Sequence, residues 1–233
     1  MNWLANHLQA LPLTEAHEGY FLGRGAQDES IARFGIKSWQ PLVDACPDQE
    51  FTRRYGPGGD HLAGWAVWPL FSPRGQVVGF EGRPLPEKRV IRHLLPEALW
   101  QPLWLGLVPE TMQRIWDGCD VWVVEGFFDL FALEWAVPKE DVVLASLRAK
   151  LTDKHIEFLR RFCKGWVKMV YDNDEAGQHG VHGFIDKRGK KRWGALQYLS
   201  RVEVKATTIR YRGKDPGEIW EQGGAAGVRA AFQ

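Results

Sequence analysis

Val121-Trp-Val-Val-Glu125-Gly-Phe-Phe-Asp129 sets the fold of this chain. Four apolar residues, three of them β-branched, predict a buried strand of a parallel sheet that stops at a glutamate followed by glycine. Gly126 permits a tight turn, and the apolar spacing from Phe127 to Trp135 predicts a packed helix. Asp129 then lies one helical turn beyond Glu125, so both carboxylates can face the crevice outside the strand ends, where open α/β sheets bind ligands.

The same arrangement recurs further on. Val167-Lys-Met-Val-Tyr171 reads as a strand that ends in Asp172-Asn-Asp174-Glu-Ala-Gly177. The β-like run from Val202 to Tyr211 leads into Lys214-Asp215-Pro216-Gly217-Glu218. One acid at a strand end is usually a helix N-cap or a solvated charge. Three acidic clusters after apolar runs point instead to a hard divalent cation, which takes carboxylate oxygens. Glu125, Asp172, Asp174 and Asp215 are therefore expected to converge on one metal site. Asp141 to Ser146 adds a strand and Thr152 to Cys163 a helix, so the order of elements predicts a parallel sheet with right-handed crossovers.

Upstream, Trp3, Leu4, Leu8 and Leu11 predict a short helix ended by Pro12, and Gln27 to Phe34 a second one. Residues 52 to 60 read as a loop. Trp65 to Phe71 and Gln76 to Arg83 form a hairpin around Ser72-Pro73-Arg74-Gly75, a type I turn sequence. Arg83 and the stretch Lys88-Arg-Val-Ile-Arg92-His93 make a local basic surface beside the acidic crevice. Pro96 to Met112 is a connector, and Trp100, Trp104 and Trp116 are read as core residues rather than platforms for bases. Asp186-Lys-Arg-Gly-Lys-Lys-Arg192 reads as an exposed basic loop.

The 233 residues are 45% apolar, enough for one large domain or two small ones. Thirty basic and 29 acidic residues leave a net charge of +1, so any surface for nucleic acid must be local. Cys46, Cys119 and Cys163 have no zinc-binding spacing and read as buried, reduced thiols. The start has neither a basic region nor a long apolar run, and a cytoplasmic chain without a membrane segment is expected.

The three acidic clusters, in order and spacing, resemble the TOPRIM domain of bacterial DnaG-type primases. Arg24-Gly25 with Ser30 to Ile36 resembles the opening of the primase core. Pro69-Leu70, Arg74-Gly75 and Val77 to Arg83 resemble the segment before the TOPRIM domain. The resemblance implies an α/β protein: a TOPRIM domain with a Rossmann-like parallel sheet over 116–233, preceded by a small mixed α/β subdomain over 1–115. It implies primer synthesis from nucleoside triphosphates on single-stranded DNA with Mg2+ or Mn2+ and no zinc. Asp172, Asp174 and Asp215 would hold metal, Glu125 would be a further ligand or general base, and Asp129 would support it. Arg24, Arg83 and Arg92 would contact nucleic acid or nucleotide.

The chain departs from the family pattern at several points. The family tends to have an acid where Gly217 stands, which weakens one metal position. Arg148 stands in a turn where the family commonly has Gly-Thr, and brings a positive charge either toward the site or into water. Neither the zinc-binding domain nor the helicase-docking domain of such primases has room here. The expectation is a monomeric catalytic core from a phage, plasmid or other mobile element, assisted by a replicative helicase or a separate zinc-binding protein. A TOPRIM nuclease would use the same acids to cut, and a non-catalytic nucleic-acid-binding module would use none of them. The upstream resemblance opposes the nuclease, and the retained acids oppose the module.

Overall fold

A computed structural model of the chain describes residues 2–44, 46–87, 89–100 and 102–233, without the side chains of Leu99 and Trp100. Lys88 of the basic stretch and the indole of Trp100 thus lie outside the described residues. The chain divides into two compact units, Met1–Leu99 and Trp100–Gln233. The sequence places the join after residue 115, but Met112 and Ile115 are buried in the second unit's core, which draws the preceding segment into that unit.

The first unit runs α1 (Trp3–Ala10), α2 (Glu15–Gly23), α3 (Asp28–Arg33), β1 (Lys37–Ser38), α4 (Gln49–Tyr55), β2 (Ala66–Phe71), β3 (Val77–Arg83) and β4 (Ile91–Leu94). The strands form an antiparallel sheet in the order β1-β2-β3-β4. The hairpin closes as its turn residues predict, with Gly75 N–H donating to the Ser72 carbonyl at 2.9 Å. Leu4, Leu8, Trp39, Phe51 and Phe80 build the core.

Three elements differ from the sequence reading. Helix α2 was not expected; Thr14 caps it by accepting from the His17 N–H, while its glycines weaken the helical signal. The loop expected over 52–60 begins with the last turn of α4, which Asp48 caps by accepting from Phe51 N–H at 2.9 Å. The basic stretch contributes the edge strand β4, in which Arg92 stands opposite Glu81.

The second unit contains α5 (Pro109–Asp117), β5 (Val121–Val124), α6 (Phe127–Leu133), β6 (Val142–Ala145), α7 (Asp153–Phe162), β7 (Val167–Met169), α8 (Glu175–His182), β8 (Phe184–Ile185), β9 (Lys191–Arg192), α9 (Ala195–Arg201), β10 (Ala206–Thr208) and α10 (Pro216–Ala231). Its main sheet is parallel throughout, in the order β10-β7-β5-β6. Val121, Val123, Val142, Leu144, Val167 and Met169 share a buried cluster with Ile115, Ile156, Leu159 and Leu199 from α5, α7 and α9. Helix α6 lies against β5 and β6 and is packed in turn by α10, where Trp135 and Trp220 stack at 5.4 Å. The chain moves outward from β5 to β6, then returns past β5 to β7. The switch point of the sheet therefore falls between β5 and β7, the two strands that lead into Glu125 and Asp172. The run expected as one strand over 202–211 is β-structured only at β10, and the expected basic loop is the two-stranded hairpin β8–β9.

At the amino end of this sheet the acids are paired. Asp141 accepts from the Trp122 indole N–H at 2.8 Å and from the Asp120 N–H at 3.1 Å, and Lys168 Nζ lies 2.8 Å from Asp120 and 3.4 Å from Asp141. Replacing Asp141 with alanine leaves the indole and the ammonium without this acceptor. The variant is expected to lose about 2–3 kcal/mol of stability in urea unfolding, and Asp141→Asn less.

Candidate active site

Each acid is delivered by its own turn. Glu125 follows β5 directly, and Asp129 sits in the first turn of α6. Asp129 accepts from the Gly126 N–H at 3.2 Å through one oxygen and from the Gly217 N–H at 3.1 Å through the other, joining the amino ends of α6 and α10. Asp174 caps α8 by accepting from Gly177 N–H at 2.9 Å, and Asp215 caps α10 by accepting from Glu218 N–H at 2.7 Å. The commonplace role of a strand-end acid is thus realised at both positions through one oxygen. The second Asp215 oxygen lies 3.5 Å from Lys214 Nζ.

Glu125 and Asp172 are different. Among the described residues, Glu125 Oε1 and Asp172 Oδ1 are buried with no hydrogen-bond partner. Gly177 keeps this space open, since a Cβ there would strike the Asp172 carbonyl oxygen and lie 2.8 Å from Glu125 Oε1. Burial, then the charges of Asp172, Asp174 and Asp129, push the Glu125 carboxyl up to about 7. Burial, then Asp172 and Asp215, raise Asp129 to about 7 against the two amides that favour its anion. Asp172 rises to about 6 through burial, Asp215 and Asp174, with Lys214 opposing. These shifts describe one anionic crevice in which each carboxylate feels its neighbours.

Among the described residues no group of three or more His, Cys, Asp or Glu side chains is assembled to hold a metal ion. Glu125 and Asp172 share their crevice with Asp174 and Asp215, whose charges act on them. Like charges repel, and three of the five acids, Asp129, Asp174 and Asp215, are held by amides at helix starts. The buried, orphaned oxygens of Glu125 and Asp172 still fit a divalent cation, the partner that such oxygens lack.

Other residues complete the crevice. Tyr211 donates to the carbonyls of Tyr171 and Lys214, both at 3.0 Å, and Asn173 donates to the carbonyls of Tyr211 and Gly213. These bonds tie the β7 exit to the loop that carries Asp215. Asn173 lay in view between two acids, while nothing local marked Tyr211. The Ser146 turn meets the site through Leu147 N–H, which donates to the Glu125 carbonyl at 3.0 Å with Leu147 at φ 61°. Arg148 is exposed. At Gly217, where the family tends to have an acid, a side chain would begin 3.1 Å from Asp129 Oδ1, and the backbone N–H donates to that oxygen.

In the first unit, Arg24 and Arg83 are neighbours: burial first, with Arg24 adding to it, lowers the Arg83 pKa. Arg92 donates through Nε at 3.0 Å to Glu81, which is buried, so its charge is spent within the sheet and not on a free surface. Trp104 is in the core as expected; Trp116 is 54% exposed, against expectation. The three cysteines are free thiols of intermediate burial, more accessible than expected.

Residues 122–218 match the Toprim-like family model. The DNA primase of Deinococcus radiodurans is 25% identical over 232 residues, covering 91% of this chain and 38% of that protein. That of Lactococcus lactis is 28% identical over 245 residues, covering 97% and 36%. The chain thus spans little more than a third of these relatives' length. The E. coli primase catalytic core superimposes with a TM-score of 0.64 at 22% identity, covering 97% of this chain and 75% of that one. A DnaG primase catalytic domain bound to single-stranded DNA gives 0.62 at 21%, covering 97% and 73%. The chain has the catalytic-core fold of bacterial DnaG-type primases.

A carboxyl whose pKa is raised by folding stabilises the fold when protonated, and that contribution is lost as pH climbs from the ordinary carboxylate value through the raised one. For Glu125, Asp129 and Asp172 the window runs from about pH 4 to about pH 7. In EDTA, Tm is expected to fall from pH 5.5 to pH 8 relative to Asp172→Asn. Millimolar Mg2+ is expected to restore roughly 2–4 °C at pH 8 and little at pH 5.5, as read by calorimetry.

Proposed function

We propose that this chain is the catalytic core of a DNA primase, joining nucleoside triphosphates into a short RNA primer on a single-stranded DNA template. The observation that carries the reading is the pair of buried, unpartnered carboxylate oxygens on Glu125 and Asp172, at the switch point of a Toprim-like sheet. The primase relatives and the primase-core fold support the direction of the chemistry, synthesis rather than cleavage.

Mg2+ or Mn2+, held by Asp172, Asp174 and Asp215 with Glu125 as a further ligand, would neutralise triphosphate charge and favour ionisation of the attacking hydroxyl. Glu125, with a carboxyl near 7, is alternatively suited to take the proton from a 3′-hydroxyl at neutral pH. Asp129 positions the site by holding the starts of α6 and α10 together. In the first unit, Arg24 and Arg83 supply phosphate contacts, while Arg92 holds β4 on β3 through Glu81. The same reading takes the protein as a cytoplasmic monomer that works with a replicative helicase or a separate zinc-binding protein.

De novo synthesis on single-stranded DNA with labelled nucleoside triphosphates and Mg2+ or Mn2+ tests this. Asp172→Ala is expected to lower the yield of oligonucleotides at least about a hundredfold, and Asp174→Ala and Asp215→Ala to lower it less. Template degradation that depends on Asp172, in place of synthesis, would overturn the reading.

A further inference from the structure

The second unit carries a basic pocket that the carboxylate chemistry does not use. It lies between Lys150, the β8–β9 hairpin and α9, and has a volume of about 500 Å3, within the range of small-ligand pockets. Lys150, Lys190, Lys191, Arg192 and Arg201 line it against a single acid, Asp153. In a chain of net charge +1 this is a local excess of positive charge. Asp186 pairs with Arg192 at 2.8 Å and also accepts from the N–H groups of Arg188 and Lys190, which shapes the hairpin.

Two aromatic rings accompany the cations. Trp193 and Tyr198 meet edge to face at 5.4 Å and are 38% and 41% exposed. Arg201 lies 5.3 Å from the Trp193 ring centre. The scaffold beneath is closely packed: a Cβ at Gly180 would strike the Ala149 carbonyl oxygen, and Cβ atoms at Gly183 and Gly194 would each collide with the other glycine's backbone. Helix α8 links the two sites, since Asp174 caps its start and Gly183 its end. Its 8 residues separate the acids from the pocket by roughly 12 Å along the axis.

We propose that this pocket binds a single-stranded nucleic-acid segment, with Trp193 and Tyr198 stacking on unpaired bases and Lys150, Lys190, Lys191 and Arg201 on its phosphates. Clustered cations alone would hold any polyanion; exposed rings among them select a strand whose bases are not already stacked in a duplex. The choice of a strand over another anion rests on the primase reading. The cavity, its charge and its rings do not.

The test is binding of a fluorescent oligodeoxythymidylate of about 12 nucleotides, followed by anisotropy in EDTA without nucleotides, with wild-type primer synthesis measured in parallel. Lys191→Ala with Arg201→Ala is expected to weaken binding about tenfold and to lower the salt slope by about 1–2. Trp193→Ala is expected to weaken it about tenfold, with Trp193→Phe restoring most of the loss. An iododeoxyuridine-substituted strand is expected to crosslink to the peptide holding Trp193 and Tyr198. All four substitutions fall on exposed side chains, and near-UV circular dichroism verifies the fold. Unchanged affinity in every variant would overturn the proposal, as would equal losses for a duplex or for inorganic triphosphate. Failed primer synthesis with these binding losses intact would count against the primase reading alone.

Discussion

The second unit depends on the burial of like charge at the carboxyl ends of two adjacent parallel strands. Carboxylates out of water are costly unless paired or hydrogen-bonded. Three of the five meet that condition through backbone amides, because Asp129, Asp174 and Asp215 stand where helices begin and orphan N–H groups point outward. Glu125 and Asp172 each keep a buried oxygen without a partner. The fold tolerates this because the rest of the sheet is apolar and closely packed, and because a cation can be accommodated there.

The two ends of the same sheet show how differently acids behave. At the amino end, Asp120 and Asp141 share Lys168, Asp141 also accepts from the Trp122 indole, and the result is structural. At the carboxyl end the acids chiefly face other acids, and burial with mutual repulsion raises three of them toward neutral pH. Asp120 and Asp141 flank β-strands in the sequence just as Glu125 and Asp172 do. The register of the parallel strands sets Lys168 opposite Trp122 and beside the first pair, while Lys214, from the loop before α10, acts on Asp172 of the second.

Much of this was legible from side-chain pattern. Val121–Val124 and Val142–Ala145 are continuous apolar runs, as strands buried on both faces must be, and their strand character does not depend on distant partners. Elements that depend on such partners were harder to read. Helix α2 carries glycines and a weak apolar stripe, and only its cap and the packing of Phe21 reveal it. The strand β4 is short, and is defined by pairing with β3. Arg92 read as a surface cation, yet its cross-strand partner Glu81 takes its charge.

The sequence by itself determined the parallel α/β unit, the hairpin at Ser72–Gly75 and the identity of the acids at the strand ends, because strand period, turn chemistry and helix capping act over a few residues. Tertiary structure alone decided which oxygens of those acids remain without partners. It decided that the Gly217 amide meets Asp129, and that Tyr211 braces the crevice. It also turned a basic run into one wall of an aromatic pocket. These outcomes depend on chain segments far apart in sequence meeting within a few ångströms, and no local pattern encodes that distance.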